Sequence, residues 1–182
     1  MRKTLIESLF RGKLTEPAPH PSDEEKSGLV GTVNRIAQRR LGRSLAIRHV
    51  DAGSCNACEL EIIALNNALY DLERFGLKIV ASPRHADVLI VTGSLTHNMG
   101  AALRLTYDAM PSPKWVVATG DCACTGGLFA QSPVCIGALG QLLPVDLHIS
   151  GCPPDPATLL RGLIALISGP GAAAHARQRR GY

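Results

Sequence analysis

Four cysteines in three separate motifs are the residues of this sequence best suited to chemistry. Cys55 and Cys58 form a CxxC pair in SCNACELE, Cys122 lies in GDCACTGG, and Cys152 lies in GCPPDP. A CxxC pair by itself fits disulfide exchange, half of a zinc site or part of an iron–sulfur site. The choice among these chemistries depends on whether the later cysteines reach the same place in the fold.

The spacing of the cysteines favours an iron–sulfur cluster among these chemistries. Disulfide exchange needs only the CxxC pair and leaves Cys122 and Cys152 unexplained. Structural zinc usually takes its ligands from two close pairs, whereas here one pair is joined by two widely separated single cysteines. A [4Fe–4S] cluster takes four thiolates, and its size tolerates ligands that are scattered along the chain. We therefore predict a four-thiolate metal site, with zinc as the alternative metal.

The predicted secondary structure brings these cysteines to one edge of a sheet. Apolar runs predict strands and longer amphipathic runs predict helices, with strands at 45–50, 77–82, 86–93, 114–120 and 147–150 and helices at 55–76, 98–109 and 156–169. Apolar strands that alternate with helices predict a parallel sheet covered on both faces. Sites in such sheets lie at the carboxyl ends of the strands, and all three cysteine motifs follow a predicted strand.

The two remaining cysteines are expected to be structural. Cys124 lies two residues after Cys122, so in an extended turn its side chain would point away from the site. Cys135, in SPVCIGALG, is expected to be a buried apolar residue. Replacement of one of the four ligands by either cysteine stays open as an alternative.

The composition predicts one globular domain with basic ends. The chain has 182 residues, of which 46% are hydrophobic and 19% charged. We divide it into an N-terminal helical and linker extension (1–44), a cluster-binding domain (45–169) and a disordered basic tail (170–182). Of the net charge of +4, the two ends carry +7 and the middle carries −3. The acidic middle and an aromatic content of 4% argue against a nucleic-acid binder.

The N-terminal extension contains two predicted amphipathic helices, at 3–11 and 29–41, each flanked by basic residues. Such helices can dock on a partner or on anionic lipid, and packing on the domain's own surface is the alternative. We recognise no signal peptide and no apolar run near the roughly 18 residues of a membrane span. Six cysteines in such a chain indicate metal binding or catalysis rather than structural disulfides.

Taken together, SCNACELEI, ADVLIVTG followed by Asn98 and Met99, GDCACTGG and GCPPDP resemble the small, cluster-carrying subunit shared by respiratory complex I and membrane-bound [NiFe] hydrogenases. The resemblance extends from residue 45 to about residue 168. The CxxC spacing is similar to that of hydrogenase small subunits, because complex I subunits of this type carry adjacent cysteines there. The run YDLERFGLKIVASPRHADVLIVTG resembles the group-4, energy-converting hydrogenases, the relatives of formate hydrogenlyase.

This resemblance implies a flavodoxin-like, doubly wound fold and one [4Fe–4S] cluster, with Cys55, Cys58, Cys122 and Cys152 as its ligands. It implies an electron-transfer subunit, not catalytic alone, between a ferredoxin-like iron–sulfur subunit and a hydrogenase-like large subunit. It further implies integral-membrane, antiporter-like subunits in the same complex and a peripheral place on the cytoplasmic side of the inner (cell) membrane.

Two other functions stay open beside the hydrogenase. One is the equivalent subunit of a complex I-like NADH or ferredoxin:quinone oxidoreductase, and the other is a zinc-bound, flavodoxin-like binding module. Glu61 matches a glutamate of the complex I pattern, for which a role in proton movement and a purely structural role are both open.

Overall fold

The computed structural model describes residues 44–53 and 55–169, together with seven earlier residues: Gly28, Gly31, Thr32, Arg35, Ile36, Gln38 and Arg39. These seven are helical, and Ile36 packs against the core of the domain. At this position the second amphipathic stripe therefore contacts the chain's own domain. The predicted helix at 3–11, the rest of the stripe at 29–41 and the tail at 170–182 lie outside the described residues.

Strands and helices alternate along the described part of the domain. Their order and bounds are β1 (Leu45–Asp51), α1 (Ala57–Ala64), β2 (Leu77–Ile79), β3 (Val88–Thr92), β4 (Leu95–Thr96), α2 (His97–Ala109), β5 (Trp115–Thr119), α3 (Asp121–Thr125), β6 (Cys135–Gly137), β7 (Leu147–Ile149) and α4 (Pro156–Ser168). None of the helices described is long and apolar enough to cross a membrane.

Five of these strands form one parallel sheet in the order β2–β1–β3–β5–β7. When these five strands are numbered 1 to 5 along the chain, their order is 2-1-3-4-5, which is the order of flavodoxin-like folds. The predicted fold is therefore confirmed. The loop after β1 carries Cys55 and leads into α1, which carries Cys58. This loop leaves the sheet at the switch point between β1 and β3, where such folds bind their ligands.

Helices cover both faces of the sheet because side chains alternate along each strand. On one face, Trp115 and Val117 of β5 join a core cluster with Ile62 of α1 and Leu160 of α4. On the other face, Val116 joins a second cluster that includes α2 residues. Full burial of each large aliphatic side chain contributes about 1.5–3 kcal/mol. The two clusters hold the strand ends, and with them the cysteine motifs, in place.

The predicted helix over 55–76 is wrong in its length, because the helix ends at Ala64. The side chain of Asn67 accepts hydrogen bonds from the backbone N–H groups of Leu69 (2.8 Å) and Tyr70 (3.1 Å), which forms a turn. Asp71 then adopts a left-handed conformation with φ of 44°, and a short 3-10 turn over Leu72–Phe75 leads into β2.

Candidate metal centre

The CxxC pair straddles the start of α1. Asn56, between the two cysteines, has a left-handed backbone with φ of 72°, a conformation that asparagine tolerates better than most residues. Its turn starts the helix at Ala57, so that Cys58 lies buried in the first helical turn while Cys55 stays exposed in the loop. One thiol of the pair therefore faces the fold and the other lies at the surface.

Two hydrogen bonds join the segments after β5 and β7, which carry Cys122 and Cys152. The backbone N–H of Asp121 donates to the carbonyl of Gly151 (2.9 Å), and the N–H of Gly151 donates to the carboxylate of Asp121 (2.8 Å). Each of these residues directly precedes a cysteine of the predicted set. The reciprocal pair therefore sets where the chain enters both ligand positions, and we call it the Asp121–Gly151 latch.

The CxxC segment contacts the chain at Gly120, the residue before Asp121 of the latch. A Cβ atom added to Gly120 would lie 2.7 Å from the sulfur of Cys58, so the Cys58 thiol packs directly on the Gly120 backbone. A Cβ atom at Gly127 would likewise lie 2.9 Å from the sulfur of Cys122. Both glycines have positive φ, +85° and +51°, which other residues adopt only with strain. Glycine is thus required where backbone passes these two sulfurs.

The thiols of the four predicted ligands share one electrostatic environment. Burial raises the pKa of Cys58 to about 12, and the charges of Glu59, Cys122, Cys55 and Cys152 add to the increase. Burial also raises the pKa of Cys122, with smaller contributions from Cys152, Cys55 and Asp121, while a hydrogen bond with Ser94 opposes the shift. A thiolate at Cys58 or Cys122 therefore needs a compensating positive charge, which a bound metal group would supply.

The residues present fit an iron–sulfur group on two observations. The donor set consists of thiols from three strand ends, and glycine backbone at residues 120 and 127 packs against two of the sulfurs. Within residues 44–53 and 55–169, no set of three or more His, Cys, Asp or Glu side chains has the spacing that holds one metal ion. That criterion applies to single ions, whereas the thiolates of a cluster bind different iron atoms and lie further apart.

The structure gives the two other cysteines separate surroundings. Residues 121–125 form the helix α3 instead of the expected extended turn, and the thiol of Cys124 lies 3.5 Å from the carbonyl of Ala118 and 3.7 Å from that of Ile149. Cys124 also packs against the second core cluster, as expected of a packed residue. Cys135 lies in β6, where it pairs with Thr96. The choice of ligands among the six cysteines stays a prediction.

A polar network that sequence reasoning missed lies beside Cys58. The buried hydroxyl of Thr92 donates to the carboxylate of Glu59, and the Nε2 atom of His49 lies 3.0 Å from the same hydroxyl. Burial lowers the pKa of His49, although the neighbouring Glu59 opposes the shift. The network ties the start of α1 to the ends of β1 and β3. Glu61 lies half-buried on the same helix.

The Asp121–Gly151 latch leads to a first prediction. Asp121→Ala leaves the Gly151 N–H without its carboxylate acceptor, and we expect a loss of about 1–3 kcal/mol in unfolding free energy together with a lower iron content. Asp121→Asn retains a side-chain oxygen at this position and should stay close to the wild type. Thermal unfolding and iron analysis of the purified complex test both variants.

Asp108→Ala serves as the control for the latch. Asp108 pairs with Arg104 on the exposed face of α2 (3.5 Å), and such surface pairs contribute about 0–1 kcal/mol. Equal stability and equal iron content in Asp121→Ala and Asp108→Ala would show that the latch does not hold the ligand loops.

Comparison with known proteins places this site in a family. Residues 55–166, which include all four predicted ligands, match the family described as NADH ubiquinone oxidoreductase, 20 Kd subunit. The chain belongs to this 20 kDa subunit family. The resemblance predicted from the motifs is thereby confirmed. As a member of the 20 kDa subunit family, the chain is a subunit of an oxidoreductase complex.

Two relatives of this chain are a probable membrane-bound hydrogenase subunit and a formate hydrogenlyase subunit. The chain is 46% identical over 132 residues to the probable membrane-bound hydrogenase subunit mbhJ of Pyrococcus furiosus. The aligned residues cover 71% of this chain and 79% of that relative. It is 38% identical over 146 residues to formate hydrogenlyase subunit 7 of Escherichia coli, covering 80% of this chain and 56% of that relative.

A solved structure has the same fold. A chain of the membrane-bound sulfane sulfur reductase, an archaeal respiratory membrane complex, matches with a TM-score of 0.61 at 29% identity. The match covers 82% of this chain and 88% of that chain. The structural match and one of the two sequence matches are therefore both to proteins of membrane-bound complexes.

Proposed function

We propose that this chain is the electron-transfer subunit of a membrane-bound [NiFe] hydrogenase complex and that it carries one [4Fe–4S] cluster. Cys55, Cys58, Cys122 and Cys152 would hold the cluster. The observation that carries this proposal is the convergence of three strand ends, where Gly120 packs on the Cys58 sulfur and the Asp121–Gly151 latch joins the other two loops. A bound cluster supplies one-electron redox chemistry.

The residues around the cysteines give the proposed site a protected side and an open side. Cys58, Thr119 and Gly120 are all buried. These residues therefore exclude water from the side of the proposed site that faces the core. Cys55 and Cys152 are exposed on the other side. One electron enters for each electron that leaves, so the subunit returns to its starting state after each transfer. The open side is the natural place for an electron donor or acceptor.

Exposed apolar side chains support a partner subunit at this edge. Leu60 and Ile63 on α1 are 58% and 62% exposed, and they follow Cys58 by two and five positions. Leu128 and Phe129, in the turn after Cys122, are 93% and 46% exposed. Large apolar side chains gathered beside ligand motifs are typical of a surface that another protein covers. We propose that a hydrogenase-like large subunit covers this surface.

We assign the remaining partners from the resemblance that the sequence motifs carry. A ferredoxin-like iron–sulfur subunit would supply or receive the electrons, and integral-membrane, antiporter-like subunits would hold the complex at the membrane. The chain would then lie peripherally on the cytoplasmic side of the inner (cell) membrane. This assignment is supported by the 46% identity to a probable membrane-bound hydrogenase subunit.

A second candidate function is the same electron transfer in a complex without nickel. The family takes its description from NADH ubiquinone oxidoreductase, and the matching solved chain belongs to a sulfane sulfur reductase. The CxxC spacing and the two hydrogenase-type relatives favour the hydrogenase.

Metal analysis of the intact complex tests the proposed function. The tagged chain, purified without oxygen together with its partners, should contain iron and nickel, and cells with the untagged chain provide the background. Iron without nickel would support the complex I-like or another nickel-free function. Zinc without iron would overturn the cluster and favour a zinc-bound module.

A further inference from the structure

Thr119 carries a buried hydroxyl that has no hydrogen-bond partner among the residues that the structure describes. It is the last residue of β5, its side chain is 0% exposed, and within the described part of the chain its Oγ1 atom has no hydrogen-bond partner. Buried polar groups are nearly always hydrogen-bonded, and leaving one unpaired costs about 1–3 kcal/mol. A group that is absent from the free chain is therefore the expected partner of this hydroxyl.

Other buried hydroxyls near the site do have partners. Thr92, which pairs in register with Thr119 on the adjacent strand, donates to Glu59. Ser94 donates to the carbonyl of Gly126 (2.8 Å). The lack of a partner at Thr119 is thus a property of this position and not of the whole strand-end region.

The side chain of Thr119 lies on the face of the sheet that α1 covers. It lies on the same face as Trp115 and Val117, because residues two positions apart on a strand point to the same side. Trp115 and Val117 share a core cluster with Ile62, which lies one turn after Cys58 on α1. The next residue, Gly120, packs against the Cys58 sulfur, since a Cβ atom there would lie 2.7 Å from it. Thr119 therefore lies beside the part of the candidate site that contains Cys58.

We propose that the Thr119 hydroxyl donates a hydrogen bond to a sulfur atom of the iron–sulfur group beside Cys58 and so raises the reduction potential of that group. This inference rests on the proposed function. Reduction adds one electron and makes the group more negative, and a donated hydrogen bond stabilises the more negative state more strongly. Thr119 would thus tune the potential from the protein side, whereas the cysteines hold the metal.

Thr119→Val tests the proposal because it keeps the shape of the side chain and removes the hydroxyl. In a redox titration of the purified complex followed by electron paramagnetic resonance, we expect the reduction equilibrium constant to fall about tenfold, which is ~59 mV for a one-electron couple. Thr119→Ser keeps the hydroxyl and should retain the wild-type potential.

Thr106→Val is the matched control, since the Thr106 hydroxyl donates to the Ala102 carbonyl (2.8 Å) within α2. Its potential should equal that of the wild type. An unshifted potential in Thr119→Val, with the cluster intact, overturns the inference and leaves the proposed function standing. A wild-type complex without iron would overturn both.

Loss of the cluster from Thr119→Val also has a defined meaning. If Thr119→Ser then holds the cluster at the wild-type potential, the hydroxyl is required and the proposal is supported. If Thr119→Ser loses the cluster as well, the site depends on side-chain shape and the proposal is wrong.

Discussion

Replacement of Cys58 or Cys152 by alanine is expected to remove the iron–sulfur cluster from the complex and to destabilise the chain. Each change deletes one thiolate, and the buried position of Cys58 offers no exchange with solvent ligands. Because metal binding and folding are coupled, the loss of the metal group also lowers the free energy of unfolding. Iron and acid-labile sulfide in the purified complex, together with thermal unfolding, measure both effects.

Cys135→Ala is the matched control for the ligand variants. Cys135 lies in β6, which pairs with β4 outside the five-stranded sheet, and its replacement should leave the iron content unchanged. A full cluster in Cys58→Ala or Cys152→Ala would contradict the ligand assignment. Loss of iron from Cys135→Ala would mean that a different set of cysteines binds the cluster.

Gly120→Ala is expected to reduce the iron content strongly although it leaves all six cysteines in place. The new Cβ atom would lie 2.7 Å from the Cys58 sulfur, which is closer than real contacts allow. In the metal-free chain the Cys58 side chain can rotate away, but a metal-bound sulfur cannot. The backbone at Gly120, with φ of 85° and ψ of 156°, also lies in a region that is almost exclusive to glycine, at a cost of about 1–3 kcal/mol for alanine.

Gly140→Ala separates this effect from the general effect of replacing a glycine. No atom lies within 4 Å of a Cβ added at Gly140, and this glycine is not among those with positive φ. Its variant should keep wild-type iron and change the unfolding free energy by no more than about 0.5 kcal/mol. Wild-type iron in Gly120→Ala would show that the Cys58 sulfur does not occupy its observed position when metal is bound.

The sheet could be predicted from the sequence because its central strands are continuous apolar runs. β3 (Val88–Thr92) and β5 (Trp115–Thr119) are buried along their whole length, and parallel strands that are covered on both faces have this pattern. The predicted helix over 55–76 is too long because the apolar pattern continues past Asn67. The helix ends at Ala64, and the Asn67 side chain accepts hydrogen bonds from backbone in the turn that follows. The elements α3, β4 and β6 have five residues or fewer, too short for a periodic signal.

The metal centre could be predicted only in part. The cysteine motifs are local patterns and could be assigned to strand ends from the sequence. The contacts of Asp121 with Gly151 and of Gly120 with Cys58 join residues that are far apart along the chain, so they depend on the strand order and register. The unpartnered hydroxyl of Thr119 had no sequence signal, because threonine is a common residue in strands.

The order of the strands also determines when the metal centre can come into existence. The Cys58 sulfur meets the Gly120 backbone only after β1, β3 and β5 have paired, and Cys152 joins them only after β7 has docked beside β5. Parallel pairing of distant segments is a slow step in folding. During synthesis the thiols are therefore separate, and delivery of iron and sulfide is expected to act on the folded domain rather than on the emerging chain.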